Sequence, residues 1–452
     1  MKNFLRNRFL LLPLIAMLSL VSLLAEDTPQ LPEDVFPALR QILADAAEQS
    51  PKMVASNLEL MVADGVLMQA KSGLYPTIGG FYQLTQARDQ REDVPGTLKT
   101  DKNYYNFSLN QPLFHWGERR NSARIGEIRR QIADDNFREA YRLLAHEIRT
   151  AYLSVISGKL AVKNASFNHK LATEALQLAE NRLKQGVISD GEAFPTRIAA
   201  EQAGLEVEKT EWHFELAKQD FATLTGQAII TDDQIPSEIP GLHASQEVIE
   251  SLLNRFLAQD EPDTAAVRSI RKQLAISELD FKNQRTRLRP KLNFIAGISQ
   301  DEQSYSTNIA QRYGLQSQYV GLQVTWNIFD GFASRGAVAA SLAHKRITEH
   351  QFNEVTEQAI QGAHRASYAV ALARRQLAIS ERLLNNAGNF LSYTKTNFER
   401  GQASEVDVNN ALAGYNSIHV STNSSRYIYL IRVSEFVSLI SEDPIVDRFG
   451  HN

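Results

Sequence analysis

The chain has no cysteine among its 452 residues. That excludes a disulfide framework, thiolate metal sites, thiol catalysis and the lipid-modified N-terminal cysteine of bacterial lipoproteins. An excess of positive charge is missing too. Lys and Arg number 48 against 52 Asp and Glu, a net charge of −4, which leaves no electrostatic basis for binding nucleic acid. Enzyme signatures are also absent: no HExxH, GxSxG, GxGxxG or phosphate-binding loop occurs. His344 and His350 are six residues apart, which does not give the i, i+4 pair that puts two imidazoles on one helix face. The residues therefore point to no metal, no cofactor and no catalytic site, and His115 beside Trp116 reads as structural.

One long apolar run is present, and only at the start. Lys2, Arg6 and Arg8 precede a stretch from Phe9 to Leu24 interrupted by Pro13, Ser19 and Ser22, and Ala25 precedes Glu26 and Asp27. This is the pattern of a secretory signal peptide over 1–25. Its removal takes Lys2, Arg6 and Arg8 with it and lowers the net charge from −4 to −7. Beyond it no run approaches the roughly 20 apolar residues of a spanning helix. If the mature chain enters a membrane, it does so as strands of a closed barrel, because open sheet edges cannot be left in hydrocarbon.

The chain is written twice. Leu74-Tyr75-Pro76-Thr77-Ile78 returns 214 residues later as Leu288-Arg289-Pro290-Lys291-Leu292. Leu113-Phe114-His115 returns 215 residues later as Ile328-Phe329-Asp330, and Leu183 to Ser189 as Phe398 to Ser404 at the same shift. Two copies of so long a unit are a duplication and not a short-period solenoid. The first repeat spans 26–228 and the second 264–440, with a linking, equatorial segment over 229–263 and a tail over 441–452.

Each copy opens with a helical segment, about 35–73 or 264–287, that stops at Pro76 or Pro290. Strands are expected next, about 78–86 and 103–113, then 292–300 and 317–329. Tyr105, Phe107 and Leu109 alternate with Asn106, Ser108 and Asn110; Val320, Leu322 and Val324 alternate with Gly321, Gln323 and Thr325. Such alternation fits a lipid-facing barrel strand lining a wet lumen, and equally a half-buried soluble sheet. The polar stretches 87–102 and 301–316 read as hairpin loops.

Helical hairpins follow, over 118–226 and 333–440. Ala172, Leu176, Ala179 and Leu183, and likewise Ser380, Leu384, Ala387, Leu391 and Thr394, alternate steps of four and three as coiled coils do. At about 1.5 Å per residue the first arm of each hairpin would extend about 100 Å, so neither could be buried in an ordinary domain. Each arm ends at Gly186 or Gly401 and resumes at Ser189 or Ser404, a C-terminal glycine followed by an N-capping serine. The hairpin tips should lie far from the sheet.

On these features the chain resembles the TolC family of outer-membrane efflux and secretion channels, over essentially the whole mature length. The strand-to-helix junctions QPLFHWGERR and WNIFDGFASR and the tips LKQGVISDGE and FERGQASEVDV carry the likeness, in that order and twice over. The resemblance implies an α+β membrane protein and not an enzyme: a duplicated β-hairpin and coiled-coil helical hairpin, forming a trimeric 12-stranded β-barrel and a periplasmic α-helical barrel. Physics alone leaves two, three or four copies open, since each could close a barrel; the homotrimer is what the family adds.

The resemblance implies further a place in the outer membrane of a Gram-negative-type cell, extending into the periplasm. The chain would serve a tripartite efflux pump or a type I secretion system. Its partners would be a periplasmic membrane-fusion adaptor, an inner-membrane transporter driven by protons or ATP, and outer-membrane lipid. The adaptor would dock at the tips, around Gly186, Val187 and Ser189 and around Gly401, Gln402 and Ser404.

Asp407 matches the family's pore-constriction acid; the second acid, three positions on, is Asn410 here, and Glu192 is the counterpart in the first copy. Family members close this entrance with a tyrosine and an arginine that correspond to Phe398 and Ala403. Three Asp407 carboxylates near one axis would resist ionising together, which raises their pKa. The alternative that the residues leave open is a periplasmic coiled-coil scaffold or adaptor whose strands form a small soluble domain.

Overall fold

A computed structural model describes residues 29–90, 96–305 and 312–445. The expected signal peptide and the tail beyond residue 445 lie outside the described residues. Two compact units are formed, one from residues 56–137 and 265–357, the other from the remaining described residues.

The helical segment expected over about 35–73 is three helices: α1 Pro32–Val35, α2 Pro37–Gln49 and α3 Pro51–Ser72. Each begins with a proline, which has no N–H to lose in a first turn and drives the residue before it out of the helical region. Phe36 accordingly has φ −124° and ψ 90°, and Ser50 φ −62° and ψ 132°.

The sheet unit holds four antiparallel strands, β1 Thr77–Gln90, β2 Thr97–Phe114, β3 Lys291–Tyr305 and β4 Arg312–Thr325, in the order β1-β2-β3-β4. The two copies of the repeat are therefore joined through β2 and β3, and β1 and β4 form the edges. All four strands run further into the polar stretches than the alternation indicated. Gln86 and Asp101, assigned to a strand end and a loop, are a cross-strand pair whose side chains bond at 2.9 Å. Polarity marks where the apolar band ends; the backbone ladder does not need it and continues.

The fourth strand, extended at its start, falls short at its other end. It stops at Thr325 and not near 329, because its partner begins at Lys291, directly after Pro290, and Lys291 opposite Thr325 is the last pair.

Register decides the two faces of this sheet. Ile78, Leu109, Ala296 and Val320 form one cross-strand row, and Gly79, Ser108, Gly297 and Tyr319 form the next row on the opposite face. Phe107, Phe294, Leu322 and Val324 share the first face; Asn106, Asn110, Ser299 and Gln323 share the second. Ile78, Val320, Leu322 and Val324 are 65% to 76% exposed, so none of the described residues covers the apolar face. On the polar face a Cβ at Gly297 would fall 2.6 Å from the Tyr319 ring; glycine there lets the aromatic lie flat across the sheet.

Where strand gives way to helix, both copies use two successive left-handed residues. These are Trp116 (φ 57°) with Gly117 (φ 84°), and Gly331 (φ 63°) with Phe332 (φ 66°). The 215-residue shift aligns Trp116 with Gly331, so each copy spends its glycine at a different one of the two positions. Indoles brace both junctions: Trp116 Nε1 donates to the Pro290 carbonyl at 2.8 Å and Trp326 Nε1 to the Leu288 carbonyl at 2.9 Å. His115 is buried, with Nε2 2.8 Å from Asn293 Oδ1.

Helices complete both units: α4 Glu118–Lys184, α5 Asp190–Thr225, α6 Gln246–Leu257, α7 Ala265–Gln284, α8 Ala333–Glu399 and α9 Glu405–Leu439. In the sheet unit, Ile125, Ile128 and Ile132 of α4 pack on Ile276 of α7. In the helical unit the neighbours can be traced by contact. Gly158 of α4 meets Phe214 of α5, and Ser157 accepts from Asn423 of α9 at 3.2 Å. Ser425 and Thr422 of α9 meet Ser380 of α8, at 2.8 and 3.2 Å. The order is thus α5, α4, α9, α8.

One core cluster of the helical unit joins Val370 and Leu377 of α8, Val433 and Phe436 of α9, and Ile249 and Phe256 of α6. Helix α6 belongs to the 229–263 segment, which also hydrogen-bonds α9, Ile239 N–H donating to Asn423 Oδ1 at 2.8 Å. Among the described residues no helix is long and apolar enough to cross a membrane.

Candidate functional site

Both hairpin tips are built alike from local rules. At the first, Val187 N–H donates to the Arg182 carbonyl at 2.9 Å and Gly186 N–H to Leu183 at 2.9 Å; at the second, Gln402 donates to Asn397 at 2.8 Å and Gly401 to Phe398 at 2.9 Å. This doubled closure needs a left-handed residue, and Gly186 and Gly401 supply it with φ of 70° and 72°. Three residues on, Ser189 and Ser404 turn the chain into the next helix as extended N-caps.

The two acids singled out by sequence are both held by those serines. Asp407 Oδ2 accepts from Ser404 N at 2.8 Å and Ser404 Oγ at 2.7 Å, while Asp407 N–H donates to Ser404 Oγ at 3.2 Å. Glu192 Oε2 likewise accepts from Ser189 N at 2.7 Å and Oγ at 2.9 Å, with its own N–H on Ser189 Oγ at 3.3 Å. Each is a reciprocal capping box that satisfies otherwise orphaned helix donors.

The electrostatics follow. The Ser404 hydroxyl, and then its backbone N–H, hold the Asp407 carboxyl below the usual carboxylate range. At Glu192 the backbone donor leads and the hydroxyl adds to it, in the same direction. Within one chain the shift of Asp407 is thus opposite in sign to the rise that a ring of like charges would impose, because donors lie nearer to it than any other acid.

No hydrogen bond or ion pair joins Asp407 to Glu192 among the described residues. Asn410, one turn beyond Asp407, is exposed. Phe398 is exposed and, like Ala403, brings no polar side chain to the tip. Val187 and Val406 are 67% and 60% exposed, so each tip offers an uncovered apolar residue beside its turn. Gln402, at the second turn, is exposed as well.

A polar cluster that sequence reasoning did not find lies in the helical unit. Arg149 is fully buried and bonds both Glu33 and Asp443, themselves all but buried. Burial works against the guanidinium charge; hydrogen bonds and charges from Asp443 and Glu33 outweigh it and raise its pKa. The one local signal is a lone arginine in an otherwise apolar stripe, Leu144, Ala145, Ile148, Tyr152 and Val155.

Two open grooves lie elsewhere among the described residues. One of about 430 Å³ is lined by His146, Asp220 and Tyr427, the other of about 480 Å³ by Asp280, Arg287 and His344. Burial lowers the pKa of His146 and raises that of Asp280. In the second groove the Ser277 and Ser341 hydroxyls donate to the carbonyls of Leu274 and Val338 in their own helices. No group of His, Asp and Glu among the described residues is arranged to hold a metal.

A family model described as outer membrane efflux protein matches residues 42–227 and 263–433. No curated protein matches the chain. Among solved structures, the CmeC outer membrane channel of Campylobacter jejuni superposes with a TM-score of 0.73 at 13% identity, covering 94% of this chain and 92% of that one. The outer-membrane channel OprN gives 0.68 at 16% identity, with 92% and 93% covered. VceC of Vibrio cholerae, an outer membrane protein, gives 0.66 at 16% identity, with 89% and 96% covered. At these identities the likeness is one of fold.

Proposed function

The chain belongs to the outer membrane efflux protein family, and from that premise we propose that it is one protomer of a homotrimeric channel giving cargo a passive exit across the periplasm and outer membrane of a Gram-negative-type cell. As a channel protein it is not an enzyme. The observation that carries the finer reading is the sheet. Its edge strands, 14 residues each, have one side unpaired among the described residues, and its apolar face is uncovered.

A lone chain with such edges would be open to edge-to-edge association in water and could not enter hydrocarbon. Three copies joined β4 to β1 close twelve strands with no edge left. Ile78, Val320 and Leu322 then meet lipid, and the face bearing Asn106, Ser108, Ser299 and Gln323 lines a wet lumen.

The 67-residue helices α4 and α8 would reach about 100 Å if straight, enough to line a periplasmic tunnel. A periplasmic adaptor at the tips and an inner-membrane transporter, proton-driven or ATP-driven, complete a tripartite efflux pump or a type I secretion system. Asp407, with Asn410 and Glu192 near it, would stand at the narrow entrance. Mass measurement in detergent and fractionation of envelopes test the reading. A trimer in the outer membrane is expected; a soluble periplasmic monomer would replace it with the scaffold alternative.

A further inference from the structure

All four strands meet their helices at one end of the sheet, where Thr77 and Lys291 begin β1 and β3 and Phe114 and Thr325 end β2 and β4. The apolar face reaches this end and continues past it. Phe114 pairs with Leu292, and Leu292 with Val324, so the three share that face. The Phe114 ring meets the Trp116 ring edge-on with centroids 4.9 Å apart, and the Arg289 guanidinium lies over Trp116, 4.7 Å from its ring centre. Trp116, Trp326, Phe329 and Phe332 are 39% to 68% exposed. Aromatic rings at the limit of an apolar surface, dry on one side and wet on the other, suit the interface of a bilayer.

Charge at this end is one-sided. The segments 71–76, 115–120, 285–291 and 326–335 span the four joints between strand and helix, and they hold eight basic and two acidic residues in a chain that is acidic overall. The stretches 85–104 and 299–316, toward the other end of the sheet, hold five basic and six acidic residues. The positive excess therefore belongs to one end alone.

Both acids at the helix end are already taken, Glu118 by Lys291 at 2.5 Å and Asp330 by the Ser334 N–H at 2.9 Å. Arg119, Arg120, Arg287, Arg289 and Arg335 are exposed, and none has a carboxylate partner among the described residues. Arg120 and Arg335 correspond under the 215-residue shift and fall in the first turns of α4 and α8, where the helix dipole disfavours a cation. No ion pair among the described residues offsets that cost; an anion beside them would.

Resting on the reading of this sheet as part of a membrane barrel, we propose that its helix end binds the headgroup of an anionic phospholipid in the adjoining leaflet, centred on Trp116 and Arg289. A guanidinium stacked on an indole keeps its N–H edge free, and that edge donates to phosphate through paired hydrogen bonds. The acyl chains then continue over Phe114, Leu292 and Val324. A zwitterionic headgroup also carries phosphate, but its own cation cancels the charge that the unpaired arginines attract. Free phosphate would satisfy the arginines and leave the aromatic rings in water, so a lipid meets both halves of the surface.

Native mass spectrometry of the full-length, detergent-solubilised protein, with phosphatidylglycerol or phosphatidylcholine added at equal concentration, reads the apparent affinity for each lipid. Phosphatidylglycerol should be preferred, by about fivefold for each arginine that its headgroup engages. Arg289→Gln should reduce the preference by about that factor, and Arg289→Lys should restore part of it, since the charge returns without the stacked fork. Arg120→Gln is the second variant, should Arg289→Gln perturb folding. Lys102→Gln, opposite Thr85 and Gln303 toward the other end of the sheet, should leave the preference unchanged. Detergent-solubilised protein that shows no preference, a preference that neither Arg289→Gln nor Arg120→Gln reduces, or one that Lys102→Gln reduces equally overturns the site and leaves the barrel standing. A chain that fractionates as a soluble periplasmic monomer overturns the membrane reading beneath it.

Discussion

Arg149 donates from Nη1 and Nη2 to the two carboxylate oxygens of Asp443, at 2.6 and 3.0 Å, across 294 residues of sequence. Its Nε donates to Glu33 at 2.9 Å, so one side chain of α4 ties down both the N-terminal helix α1 and the segment after α9. Three buried charges are tolerable only while the fork geometry pairs them.

Arg149→Met should therefore destabilise the chain by about 3–5 kcal/mol, since it leaves two carboxylates buried without their shared cation. Arg149→Lys should recover little of this, because an ammonium cannot serve both carboxylates through paired donors. Thermal unfolding of the detergent-solubilised protein measures both, and an unchanged midpoint in Arg149→Met would show the cluster to be dispensable.

The capping bond at Asp407 makes a prediction with a definite sign. Its folded-state pKa is lowered by Ser404, so its contribution to helix α9 is complete above the ordinary carboxylate range and is lost as pH falls through the lowered value. Ser404→Ala removes the hydroxyl donor and should move the titration of Asp407 upward, as NMR of the carboxyl carbon would register.

In a planar bilayer, Asp407→Asn should weaken cation preference if three copies ring the entrance. The loss should be smaller than in a channel with a second acidic ring, because Asn410 holds that position. Asn keeps an oxygen for the Ser404 donors, so the trimer should persist. Selectivity that did not change would leave Asp407 as a helix cap and nothing more.

The two faces of β4 should respond differently to charge. Val320→Arg, on the apolar face, should impair assembly in the outer membrane, at a cost of about 2–4 kcal/mol if it lies near the bilayer midplane. Gln323→Arg, on the other face, should be tolerated. The heat-modifiable barrel species on gels reports both, and equal tolerance would place neither face against lipid.

Single cysteines at Val187 or Gln402 should capture a periplasmic adaptor, since both residues are exposed beside the tip turns. Capture only from the connections between strands would reverse the proposed orientation.

Much of the molecule was legible because it is local or repeated. Gly186 and Ser189, and Gly401 and Ser404, announce a helix end and a helix start by rules that act within a few residues. The duplication shows itself by shift alone, and together these pieces were enough to point to the family. Pro37 and Pro51 are equally local signals, and they break the single helical segment expected over about 35–73. The polar residues after Gln86 misled for a different reason: side-chain character reports solvent exposure, whereas a strand extends as far as another backbone is there to pair with it.

What only the tertiary structure decided are the relations between distant segments. Composition and period set α4, α5, α8 and α9 as helices with apolar stripes, but they do not say which stripe finds a partner. The pairing of β2 with β3, the position of α5 and α8 at the flanks, and the meeting of Glu33, Arg149 and Asp443 depend on which chain segments are brought together. Secondary structure and caps are determined within a few residues of sequence; the choice among equally apolar faces and equally charged partners is made only when the whole chain packs and each buried group must be satisfied at once.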